Sequence, residues 1–167
     1  MFDMFKNVIK KFFFMDEEEY HQSLQYYAEK FHLKEAWSIA VVEKLPQVKT
    51  NYSDPEGVKA FTDWLSHRVV FKHSLMRNPK WIVRAYIRHE LRHCQQMEIL
   101  HDKLREKYGE LSGIYTTMLI GLDNSRGYGK SIMEQDAWMT FFGFHYNINK
   151  VVNRIIKRNM RFVTQEC

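Results

Sequence analysis

Short runs rich in β-branched and aromatic residues are set along the chain between longer stretches of helical apolar spacing, and the change of period marks its elements. A first helix is predicted to start at Asp16, which can cap it while Glu19 takes the reciprocal position of a capping box. Tyr20, Leu24, Tyr27 and Phe31 then recur on one apolar stripe, and the helix is expected to end near His32. Residues 37–43 and 68–73 (RVVFKH) are rich in Val, Ile and aromatic side chains and predict strands. Residues 58–64 read two ways, because Asp54-Pro55-Glu56 also resembles a helix start; the pattern favours a strand in a hairpin with RVVFKH.

Asn78 as a cap with Pro79 in the first helical position predicts a helix running to about His101. After Gly109 a shorter apolar helix is expected through Leu119, then a loop, GLDNSRGYGKS, whose Gly121, Gly127 and Gly129 argue for irregular backbone. A last long helix is expected from about Ser131 to Arg161, packing through Ile132, Ala137, Phe141, Phe144, Ile148, Val152 and Ile155. The order is that of an α+β protein, with a short three-stranded sheet followed by a central helix and a long C-terminal one. With no repeat, low-complexity tract or Pro/Gly/Ser linker, residues 1–167 are expected to form a single domain.

Composition narrows this picture. A hydrophobic content of 45% with 15% aromatics is enough for a real core. Residues 1–15 place Phe2, Phe5, Ile9, Phe12 and Phe13 at helical spacing but are interrupted by Asp3, Lys6, Lys10 and Lys11. They are therefore expected to form an amphipathic segment docked on the domain, with a membrane-surface anchor as the alternative, and not a signal peptide. No stretch is long and uncharged enough to predict a transmembrane span. Two cysteines are too few for a disulfide framework, which points to a reducing, cytoplasmic setting, and Cys94 is expected to be an inert thiol on the core side of its helix. The net charge of +5 would suit an acidic partner, and Lys150, Arg154, Lys157 and Arg161 form a basic stripe. The excess is spread over several segments, which favours a solvated surface over nucleic-acid binding.

The residues that suggest chemistry are His89-Glu90-Leu91-Arg92-His93, an HExxH pattern on the predicted central helix. Residues four apart on a helix lie about 40° apart around the axis and one turn along it, so two imidazoles can hold one metal ion from the same face. Neutral imidazole suits zinc, and Glu90, about 100° round from His89, can reach a water molecule without being a ligand. On the helical wheel Val83, Ile87, Leu91 and Cys94 define the core side and Arg84, Arg88, Arg92 and Gln95 the wet side. The histidines fall on the border and Glu90 close to the apolar side, where partial desolvation would raise its pKa towards that of a general base. Glu134, where the last helix opens with Met133-Glu134-Gln135-Asp136-Ala137-Trp138, is the candidate third ligand, and the small Ala137 would let two helices approach there.

With HELRH at 89–93 and EQDA at 134–137, the sequence resembles the gluzincin metallopeptidases, particularly minimal single-domain forms in which a short sheet precedes the HExxH helix and a later helix supplies glutamate from an ExxA pattern. The resemblance covers the order of elements from about Asp16 to Arg161. It implies a zincin-like fold, His89, His93 and Glu134 as ligands of Zn2+, and Glu90 as general base in the hydrolysis of a peptide or protein substrate, which the basic surface suggests could be acidic. It also implies that RVVFKH forms the sheet edge along which an extended peptide could pair. In many relatives an aspartate follows the ExxA alanine and supports the site; here Trp138 stands in that place, and Asp136 is the nearest carboxylate, equally readable as a solvated helix residue. Tyr128 and Arg126 in the glycine-rich loop, and His145, three helical turns from Glu134 on its face, are candidates to stabilise an oxyanion. The alternatives to a zinc peptidase are a catalytically silent zincin-like binding or regulatory protein and a basic nucleic-acid-binding protein.

Overall fold

The computed structural model describes residues 13–42, 58–127 and 129–163. Of the amphipathic N-terminal segment only 13–15 fall within these, so its docking lies outside the described residues; Met15 is buried and Phe14 bridges to Pro79.

Helix α1 (Glu17–Lys30) starts as its capping residues dictate: Glu19 N–H donates to Asp16 Oδ1 at 2.8 Å, and the Glu19 carboxylate accepts from Asp16 N–H. The stripe Tyr20, Leu24, Tyr27 and Phe31 is buried, with the Tyr20 ring edge-on to Phe71 at 5.8 Å. The sheet consists of β1 (Ser38–Val42), β2 (Ala60–Asp63) and β3 (Arg68–Lys72) in the order β1-β3-β2. As expected, β2 and β3 form an antiparallel hairpin, with Ala60 opposite Phe71 and Asp63 opposite Arg68. The Asp63 carboxylate closes the turn by accepting from Leu65 N–H and the Ser66 hydroxyl. Strand β1 runs parallel to β3, which corrects the expectation of an edge role for RVVFKH. Val69, Val70 and Phe71 are consecutive and fully buried, a run that fits only a strand covered on both faces and paired on both sides.

A 3-10 turn (His73–Arg77) leads into the central helix α2 (Lys80–Tyr108). Asn78 does not cap α2. Its amide donates back to Ser74 O and Leu75 O, closing the 3-10 turn, and Pro79 takes the cap position without a side-chain bond. The helix runs about two turns past His101 because Leu104 keeps the buried stripe of Met97 and Leu100 going, and it stops at Gly109, whose φ of +57° suits a residue without a Cβ.

Helix α3 (Ser112–Asn124) extends beyond Leu119 and takes Gly121 with it, so the glycine-rich loop is shorter than expected. The predicted single C-terminal helix is two, α4 (Ile132–Phe141) and α5 (Ile148–Val163). Gly143 adopts φ +90°, its N–H bonds to Thr140 O and Phe144 N–H to Met139 O, the paired bonds of a Schellman terminator. Phe144 is consequently exposed rather than packed, whereas Ile132, Ala137, Val152 and Ile155 are buried as expected.

The core falls into two clusters joined along α2. One unites α1, β3 and the first half of α2; the other unites its second half with α3, α4 and α5, and Trp37 packs on both. No helix among the described residues is long and apolar enough to cross a membrane.

Candidate metal centre

Helix α2 presents His89 and His93 one turn apart on a buried face, 5% and 7% exposed. Helix α4 brings the third group. Its start is fixed by Asp123, a fully buried carboxylate at the end of α3 that accepts from the Ser131 hydroxyl at 2.6 Å and from Met133 N–H at 3.0 Å. Ser131 in turn caps the helix by accepting from Glu134 N–H at 3.1 Å, which sets Glu134 in the first turn facing α2. The far end of α4 is held by Arg88, which donates to Phe141 O at 2.8 Å.

Three donor groups converge in consequence. The Nε2 atoms of His89 and His93 lie 3.2 Å apart, with Glu134 Oε2 3.5 Å from the first and Oε1 3.4 Å from the second. One ligand atom from each of these residues lies within 4.8 Å of the others, the spacing of a group able to hold a single metal ion.

The hydrogen-bond chain behind His93 dictates its tautomer. Asp136 can only accept, so the Gln96 amide turns its NH2 to Asp136 Oδ2 at 2.8 Å and to Met133 O at 3.0 Å. Gln96 Oε1 therefore faces His93 Nδ1, at 2.9 Å, and that nitrogen must be the donor. Nε2 is left to face His89 and Glu134. The Asp136 carboxylate is fixed by a two-pronged bond from Arg92, 2.6 Å from Nε and 3.1 Å from Nη2, and Arg92 also donates to Tyr146 O and Gln95 Oε1. Of the two readings open for Asp136, the buried one holds, and it stands behind His93 through Gln96. One expectation changes here: Arg92, assigned to the wet side, is buried because its charge is paired within the protein.

The electrostatics ask for positive charge between the two Nε2 atoms and Glu134. Burial opposes a charged His93, but the charge of Glu134 and its hydrogen bond outweigh burial and raise the imidazole to about 9. Burial alone would raise Glu134 as well, yet His93 and His89 hold it well below the usual carboxylate range. A cation bound between them would meet this demand in place of a proton.

Glu90 projects from the same turn of α2 and is buried. Its Oε2 accepts from the Thr62 hydroxyl of β2 at 2.8 Å. Burial pushes its pKa up, Glu134 adds to the shift, and the two imidazoles and Thr62 oppose it. The Tyr86 phenol is raised too, by burial and then by the Glu90 charge, which puts it within electrostatic reach of this carboxylate.

Of the remaining candidates, Tyr128 lies outside the described residues. Arg126 is directed to α5, donating to Asn159 Oδ1 and covering the Phe162 ring at 5.1 Å. His145 sits in the exposed segment after Gly143, not on the Glu134 helix, with its ring against Phe31 at 6.3 Å. Burial and then the charges of Lys30, Arg92 and Arg88 lower its pKa. Cys94 is fully buried, and burial pushes its thiol up, consistent with an inert side chain. Thr62, Gln96 and Arg92 were not anticipated at the site. Gln96 had a legible signal, since it follows His93 by three positions on the same helix face; Thr62 had none, because its contact depends on how the sheet docks on α2.

Comparison with protein-family models, with curated proteins and with solved structures finds no match.

Proposed function

We propose that this protein is a zinc-dependent peptidase of zincin type, in which His89, His93 and Glu134 hold the metal and Glu90 is the general base. The reading rests foremost on the convergence of two imidazole nitrogens and one carboxylate from separate helices, 3.2 to 3.5 Å apart, beside a buried Glu90 that is not one of them. The donor set suits zinc: two neutral nitrogens and one carboxylate, with His93 held in the tautomer that leaves Nε2 for coordination. Zinc bound there would supply Lewis acidity towards a carbonyl and acidify water.

The protein's own groups divide the remaining work. Thr62 orients the Glu90 carboxylate through Oε2, leaving Oε1 to accept a proton from the attacking water. The raised pKa of Glu90 lets it keep that proton until the leaving amine takes it. Sheet first, motif helix next and a glutamate on a later helix is the order of the gluzincins that the sequence resembles, and the buried free thiol of Cys94 fits a cytoplasmic setting. Lys150, Arg154, Lys157 and Arg161 are all exposed, as on a solvated face, and an acidic peptide or protein is the substrate that such a positive face would attract.

Incubating the zinc-loaded protein with a diverse peptide library and identifying products by mass spectrometry tests this reading. Cleavage that stops on chelation and returns with zinc is expected. A zinc-loaded protein that cleaves nothing would leave a binding or regulatory role in its place.

A further inference from the structure

The two histidines are not held alike. Behind His93 stands an unbroken chain of hydrogen bonds, through Gln96 to Asp136 and from there to Arg92, every member of it buried. Behind His89 there is none among the described residues: its Nδ1 is buried and meets no hydrogen-bond acceptor there. What the His89 ring meets is aromatic. Trp138 packs against it with centroids 4.9 Å apart and planes inclined at 59°, Phe141 backs Trp138 at 4.8 Å, and Phe142 closes the group at 6.3 Å from Trp138.

A metal-ligating imidazole ordinarily gives its second N–H to an oxygen, which fixes the tautomer and makes the ligating nitrogen more basic; removing such a partner lowers metal affinity by about 10- to 100-fold. Packing can fix the plane of a ring, but it cannot choose the tautomer or push charge towards the metal. A buried Nδ1–H without an acceptor also has a desolvation cost that coordination through Nε2, which requires that tautomer, cannot escape.

We infer that Trp138 is the positioning residue of His89, holding it by packing alone, and that His89 is therefore the weak leg of an exchangeable metal site built on a rigid His93–Glu134 pair. This inference rests on the metal-site reading above and deepens it. An occupancy that follows the free zinc concentration is its consequence.

The test is zinc affinity, measured by competition with a chromophoric chelator, in the wild type, Trp138→Ala, Trp138→Asp and Trp138→Asn. All three variants lose the same aromatic packing, so a difference between them isolates the acceptor. Trp138→Asp and, to a smaller extent, Trp138→Asn should bind zinc about 10- to 100-fold more tightly than Trp138→Ala. Gln96→Leu serves as the opposite control and should bind about 10- to 100-fold more weakly than the wild type. Folding of each variant is checked by circular dichroism, and Trp138→Phe, which keeps an aromatic ring, should stay within about threefold of the wild type by the same packing logic. Asp and Asn variants no tighter than Trp138→Ala, in folded protein that still binds zinc through His93, would overturn the inference and leave the site standing. Zinc binding indifferent to His93→Ala would remove both.

Discussion

Glu90 and Glu98 lie on the same helix about two turns apart and are almost equally buried, 4% and 5% exposed, yet their surroundings differ in kind. Glu98 accepts from Lys34 N–H at 2.9 Å, Glu35 N–H at 3.0 Å and the Trp37 indole at 2.8 Å, tying the segment before β1 to α2. A carboxylate given three fixed donors is a structural anchor, because its charge is satisfied in place. Glu90 receives one hydroxyl on Oε2, and burial raises its pKa. A carboxylate held among titratable neighbours with spare acceptor capacity is set up to gain and lose a proton. Burial alone does not tell an anchor from a reactive group; the supply of donors does.

The sharpest way to break this contrast is the isosteric pair Glu90→Gln and Glu98→Gln. Glu90→Gln should lower peptide hydrolysis by about 10²- to 10⁴-fold while retaining zinc and stability, since the amide mimics the neutral acid that burial already favours. Steady-state kinetics and metal content check this; an unchanged rate would take Glu90 out of the chemistry. Arg92→Met should come next, costing roughly 3–5 kcal/mol in denaturant unfolding, because it leaves the Asp136 carboxylate buried without its cation. Glu98→Gln should cost about 1–3 kcal/mol, its NH2 group facing backbone donors, with zinc affinity unchanged. If Glu98→Gln lost activity without losing stability, the anchor and the reactive group would not be separable.

A fourth expectation concerns protons. Glu134 raises His93 to about 9, so a cation binding at its Nε2 at neutral pH must expel a proton. Zinc added at pH 7 in weak buffer should release that proton, and apparent affinity should rise with pH through neutrality until the gain ends as pH passes about 9. A pH-independent affinity between pH 6 and 8 would contradict this. The smallest effect should come from replacing Lys150, Arg154, Lys157 and Arg161 with glutamine, under about 0.5 kcal/mol for each exposed side chain. The readout sensitive to these residues is the salt dependence of cleavage of acidic peptides, which should flatten.

What the sequence discloses here is whatever is written locally. The Asp16–Glu19 capping box, the buried stripe of α1 and the two histidines one turn apart each depend on a few neighbouring residues, and each is where the pattern put it. Partners chosen at a distance were hidden. Arg92 is on the polar arc of α2, and only the arrival of Asp136 from a helix 44 residues away makes its burial tolerable. The central position of β3 depends on parallel pairing with β1, for which no turn signal exists. The break between α4 and α5 is local and yet masked in the pattern, because Gly143 sits among phenylalanines that prolong the helical apolar spacing, and its positive φ is what ends the helix.

The most direct measurement is the zinc content of protein purified without added metal, for the wild type beside His89→Ala and Glu134→Ala, by inductively coupled plasma mass spectrometry with each variant's fold checked. The account predicts at most one zinc per chain in the wild type, filled to one on titration, with less zinc in both variants under the same titration and the greater loss in Glu134→Ala. Equal zinc in all three would contradict it.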